Sequence, residues 1–166
     1  MPKQIIHTND APKAVGTYSQ AVKVGNTVYI SGQIGLDPVS MTLRDGFVAQ
    51  AKQVFDNIEA IAQASGGSLA DVVKFNVSLD DLNDFDELNQ IFESRLTAPY
   101  PARAALEVAA LPKGALVTYR AIVHKGEHRP YLFGVYLVFI WCLFGVKTCP
   151  SYGMWDIYHK NVCLIL

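Results

Sequence analysis

The stretch Val73-Lys74-Phe75-Asn76-Val77-Ser78-Leu79 alternates apolar and polar side chains without a break. Successive side chains of a strand point to opposite faces, so Val73, Phe75, Val77 and Leu79 line a core while Lys74, Asn76 and Ser78 face water. A strand wet on one side belongs to a sheet covered on one side. The flanks supply the cover. Upstream, Phe47, Val48, Ala51, Val54, Phe55, Ile58, Ile61 and Ala62 recur at helical spacing, and Gly66-Gly67 makes a stop. Downstream, Asp84-Phe85-Asp86-Glu87 has the pattern of a capping box, with Asp84 as N-cap and Glu87 reaching back. The helix it opens buries Phe85, Leu88, Ile91 and Phe92 and ends before Pro99.

The remaining segments read as strands. Gln4 to Thr8 is one, broken by Asn9-Asp10-Ala11-Pro12. Tyr18 to Val24 and Thr27 to Ile34 flank Gly25-Asn26 as a hairpin, with Val28, Ile30, Gly32 and Ile34 on one face. Pro112-Lys113-Gly114 turns into a last strand, Leu116 to Val123. With a strand around Arg103 the order is β-β-β-α-β-α-β-β. It predicts an α+β two-layer sandwich, one mixed sheet with both helices on one face. The other face lacks a cover from its own chain, which favours self-association.

Composition separates two kinds of sequence. Residues 1–124 carry 10 Lys+Arg against 13 Asp+Glu, a net of −3; residues 125–166 carry 4 against 2, a net of +2. A mildly acidic domain without a basic stripe does not suit nucleic acid. No signal-peptide pattern opens the chain and the first 124 residues hold no cysteine, so a cytoplasmic location is expected.

The chemistry concentrates in Tyr100-Pro101-Ala102-Arg103-Ala104-Ala105-Leu106-Glu107-Val108. Pro101 holds Tyr100 extended, and Arg103 stands among small and apolar neighbours. Such a guanidinium reaches solvent, pairs with a carboxylate of its own protein, or grips an anionic ligand with two parallel hydrogen bonds.

Gly16-Thr17-Tyr18-Ser19-Gln20, Tyr29-Ile30-Ser31-Gly32-Gln33-Ile34, Asn83-Asp84-Phe85, Tyr100-Pro101-Ala102-Arg103 and Glu107-Val108-Ala109-Ala110-Leu111-Pro112 resemble the RidA (YjgF-type) family of imine deaminases, collinearly from about residue 3 to residue 123. The resemblance implies a chorismate-mutase-like fold, a homotrimer with ligand clefts between subunits, and hydrolysis of 2-imino or enamine acids to 2-keto acids and ammonia. It implies no metal and no organic cofactor. Carried onto this chain, it makes Arg103 the carboxylate clamp, Tyr18, Ser31, Gly32 and Asn89 the cleft lining, and Ala105 the position where many members have cysteine. Thr118 stands where the family's deaminases present a glutamate that holds the attacking water, and Arg120 replaces the acid two places on. A hydroxyl positions water but is a far weaker proton acceptor than a carboxylate. Two functions therefore stand side by side: a deaminase with a weakened water-activating position, and a non-catalytic module binding small carboxylates.

Other patterns carry less. Ser31 as a nucleophile lacks a nearby base, His124 and His128 at i, i+4 lack further metal ligands, Gly32-Gln33-Ile34-Gly35 lacks a phosphate-cradle context, and Asp80-Asp81 reads as a solvated turn. Residues 125–166 form an atypical extension with an uncharged run from Tyr131 to Val146. As a helix those residues reach about 24 Å, short of a ~30 Å hydrocarbon core. An out-of-frame extension, a short C-terminal membrane anchor and an extra packed element all fit that composition.

Overall fold

The computed structural model describes residues 2–126. The elements run β1 (Lys3–Ile6), β2 (Ala21–Val24), β3 (Thr27–Ile34), α1 (Phe47–Ala64), β4 (Val72–Leu79), α2 (Phe85–Arg95), β5 (Ala102–Glu107) and β6 (Val117–His124). One six-stranded sheet has the order β1-β2-β3-β6-β4-β5. Its pairings are antiparallel except β4 with β5, which is parallel. The expected order of elements and the mixed sheet with two helices are both present. The extension, its Tyr131–Val146 run, the anchor reading and the His128 end of the histidine pair lie outside the described residues. Among the described residues no helix is long and apolar enough to cross a membrane.

The core is the interface between α1, α2 and one sheet face. Phe55, Phe75, Phe92 and Tyr119 meet there edge to face, with centroids 4.8–6.3 Å apart, a geometry favoured by the ring quadrupoles. Arg95 of α2 pairs with Asp56 of α1. The Gly66-Gly67 stop is a Schellman turn: Gly66 takes φ 84°, its N–H donates to Gln63 O, and Gly67 N–H donates to Ala62 O.

Several local expectations are corrected. In β4 the pairing with β6 shifts register between Val72 and Lys74. Val72 is therefore buried in the place expected for Val73, which is 46% exposed. A second shift, between Ile30 and Gln33, breaks the face expected for β3. Val28 and Ile30 are buried, Gly32 is exposed, and Gln33 turns inward. Asp84 occupies the N-cap of α2 but makes no side-chain capping bond. Burial, then the neighbouring charges of Asp81 and Glu87, raises its carboxyl pKa. A short 3-10 turn at Leu82–Asp84 precedes the helix, and Asp81 caps that turn by accepting from Asn83 N–H at 2.8 Å. Asp80-Asp81 is thus more than a solvated turn. Phe85 is only half-buried, and Val48 is exposed.

The inner face of α1 also carries three buried amides that an apolar stripe does not announce. Asn57 Nδ2 donates to Ile34 O and Leu36 O, Gln53 Nε2 donates to Asn57 Oδ1, and Gln50 bridges Arg44 O and Leu116 N–H. This network fastens the β3–α1 connection to the helix. Gly35 lets the two approach: a Cβ there would lie 2.5 Å from Gln50 Cα.

Tyr119 is fully buried, and its Oη has no hydrogen-bond partner among the described residues. Burial pushes the phenol pKa up, with the Arg103 charge pulling weakly the other way. An unpaired buried hydroxyl costs roughly 1–3 kcal/mol. Tyr119→Phe is therefore expected to leave thermal stability unchanged or raise it, by up to ~2 kcal/mol. A loss above about 1 kcal/mol in calorimetry would mean that the hydroxyl has a partner.

Candidate functional site

Arg103 lies on β5 at the edge of the sheet, in register with the core residue Phe75 of β4. Its side chain leaves on the helix side, where α2 receives it. The guanidinium carbon sits 4.8 Å from the Phe92 ring centroid and 5.4 Å from that of Phe85. Nη2 donates to Asn89 Oδ1 at 2.7 Å. Cation–π contact with two rings and one hydrogen bond fix the fork without neutralising it. Among the described residues no carboxylate pairs with it. The remaining donors open onto a cavity of about 380 Å³ walled by Asn89, Phe92, Glu93, Leu96, Tyr100, Pro101 and Arg103. An uncompensated guanidinium on aromatic walls is an anion receptor.

Asn89 and Arg103 are thus brought together as expected. Phe85 and Phe92 were legible only as core residues. The signal that finds their second role is helical spacing: Phe85, Phe92 and Glu93 stand at i−4, i+3 and i+4 from Asn89 and share its side of α2. Ala105 faces inward in register with Val77 and packs partly buried on the core.

The other expected residues lie elsewhere in the chain. Burial along β6 alternates: Val117, Tyr119, Ala121 and Val123 are buried, while Thr118 and Ile122 are half-buried and Arg120 is exposed. Thr118, Arg120 and Ile122 therefore share the sheet face away from the helices, as alternation predicts. Arg103 is on the helix side, two strand spacings or about 10 Å across the sheet. Thr118 Oγ1 donates to Gln33 O at 2.9 Å. Its neighbour is Gly32, where a Cβ would lie 3.3 Å from Thr118 Oγ1 and 3.6 Å from Arg120 Cγ. Ser31 Oγ donates to Ser19 O at 2.6 Å, and Ser31 N–H to Gln20 O. Gln20, buried, bonds the backbone of Thr8, Ala11 and Pro12 and so anchors the loop carrying Tyr18. Tyr18 is half exposed, its Oη accepting from Val15 N–H at 3.3 Å. One chain thus carries two half-sites: Arg103 with Asn89 on α2, and Tyr18, Ser31, Gly32 and Thr118 around the end of β3.

The family model described as Endoribonuclease L-PSP matches residues 8–125. The bovine (Bos taurus) 2-iminobutanoate/2-iminopropanoate deaminase is 49% identical over 125 residues, covering 75% of this chain and 91% of that protein. The chain belongs to the RidA family. Within it, the crystal structure of RidA from an Antarctic Psychrobacter superposes with TM-score 0.73 at 66% identity, covering 74% of this chain and 99% of that one. Escherichia coli TdcF, solved with bound serine, gives TM-score 0.70 at 36% identity, covering 74% and 99%. The RidA fold expected from the sequence is therefore present, and deaminase-named members stand among its relatives. Among the described residues no group of three His, Cys, Asp or Glu is placed to hold a metal ion.

Proposed function

We propose that the chain hydrolyses reactive 2-imino and enamine acids to 2-keto acids and ammonia, with Arg103 holding the substrate carboxylate. The observation that carries this reading is the Arg103 fork, fixed by Phe85, Phe92 and Asn89 yet without an internal carboxylate, at the mouth of an open cavity. A carboxylate held in a bidentate grip presents the adjacent C=N carbon at a defined place, where water adds and ammonia leaves. The deaminase names of relatives near half identity and the serine bound by TdcF support small amino-acid-derived ligands. The net charge of −3 over residues 1–124 weighs against RNA as substrate. A coupled assay with a pyridoxal-phosphate dehydratase, scoring release of keto acid, tests the activity directly.

The two half-sites become one cleft when the Arg103 edge of one subunit meets the Thr118 face of the next, the arrangement a homotrimer supplies. Support comes from the uncovered sheet face, where Tyr29 is 52% and Leu106 64% exposed beside Ile5 and Ile122. Residues 1–124 are expected to scatter light as a trimer at micromolar concentration. A stable monomer would leave the cleft unassembled and overturn this arrangement.

A second reading, binding without turnover, has one observation in its favour. The Thr118 proton is committed to Gln33 O, so the hydroxyl offers water an acceptor but no base.

A further inference from the structure

We infer that the Arg103 cavity is shaped for 2-imino acids whose side chain ends in a cation, with Glu93 as the residue that selects them. This rests on the reading of Arg103 as the carboxylate clamp, and it assigns the far end of the same cavity. Glu93 is the acid among the cavity's lining residues, and it is exposed. Among the described residues neither Arg103 nor Glu93 takes part in an ion pair. The two opposite charges share one cavity while leaving each other free. Asn89, which marks the level of the guanidinium, and Glu93 are four residues apart on α2, about 6 Å along the axis. Phe92 lies between them in sequence, and Leu96 and Tyr100 add apolar wall.

That order of chemistry is a cation for the substrate carboxylate, an apolar stretch for methylenes, then an anion. A two-carbon side chain fills a small part of about 380 Å³. A side chain of three methylenes carrying a guanidinium spans the distance and places its fork on the Glu93 carboxylate. The reaction is unchanged: water adds to C2, the C–N bond breaks, and ammonia leaves a 2-keto acid. The guanidino member of the class is the clean probe. A side-chain amine would attack C2 itself and expel ammonia without the enzyme.

The test measures affinity first, because affinity does not depend on turnover. Calorimetry on the full chain compares 5-guanidino-2-oxopentanoate with 2-ketobutyrate. The guanidino acid is expected to bind more tightly, and Glu93→Gln to lower the ratio of the two affinities roughly three- to tenfold. Glu93→Lys is expected to reverse the preference, so that 2-oxoglutarate gains over 5-guanidino-2-oxopentanoate; that gain also shows that the variant is folded. Hydrolysis of the corresponding imine, generated from arginine by an amino-acid oxidase, is expected to follow the same order. An affinity ratio that neither variant moves overturns the assignment of Glu93, whatever the activity. If the ratio moves as expected while no imine is hydrolysed, the ligand class stands and the deaminase reading falls.

Discussion

Arg103→Ala is expected to abolish measurable binding of 2-ketobutyrate, and Arg103→Lys to weaken it by about 5- to 150-fold, equivalent to ~1–3 kcal/mol. The alanine variant removes the charge and both parallel donors. Nothing among the described residues of the chain replaces them, since Asn89 is occupied in orienting the arginine rather than in facing a ligand. Lysine keeps a positive charge but loses the planar fork that lies over Phe92 and Phe85, so its ammonium has no fixed direction. Because Arg103 is exposed at a sheet edge, neither change should unfold the domain. Calorimetry reads the affinities, and equal unfolding temperatures identify the loss as one of contact. Unchanged affinity in Arg103→Ala would place the ligand elsewhere.

How much of this was legible in the sequence depends on which physical signal carried it. Period 3.6 in Phe47–Ala62 and period 2 in Val73–Leu79 report which face of each element is dry, and that suffices for the layers. Neither period reports a bulge. Val72 and Val73 are chemically identical, so composition cannot tell which one the register shift turns inward. The same holds at Ser31-Gly32-Gln33, where strict alternation leaves Gln33 outside and the shifted register buries it. Buried amides such as Asn57 are silent for another reason: their partners are backbone carbonyls of Ile34 and Leu36, which any sequence supplies. At the site, Arg103 stood out because a charge among alanines needs a partner. That Phe85 and Phe92 provide it could not be read from their hydrophobicity, which serves the core equally well. Alternation placed Thr118 and Arg120 on one face. It could not reveal that Arg103, on another strand, leaves on the opposite one, because the faces of two strands are related only through their pairing.

The largest gain is expected on the Thr118 face. Water adding to the imine carbon must give up a proton, and a hydroxyl donating to Gln33 O is not a base at neutral pH. General-base assistance is worth about 10²–10⁴-fold, so the wild-type chain should hydrolyse 2-iminobutanoate slowly and Thr118→Glu should recover much of that factor. Gly32, with no side chain beside Thr118, leaves room for the longer residue. The obstacle is Arg120, whose Cγ approaches the same glycine and whose side chain shares the exposed face. A glutamate at 118 would be held by that guanidinium, its basicity lowered and its direction fixed away from water. Thr118→Glu alone should therefore gain less than Thr118→Glu combined with Arg120→Glu. The double variant should also acquire a pH limb, with rates falling as the medium is acidified through roughly pH 4–5 and the carboxylate protonates, while 2-ketobutyrate affinity, set by Arg103, stays within a few-fold. Stopped-flow decay of the imine across pH measures both features. If the wild type already turns over as fast as the double variant, a carboxylate is dispensable here, and backbone carbonyls such as Gln33 O must orient the water.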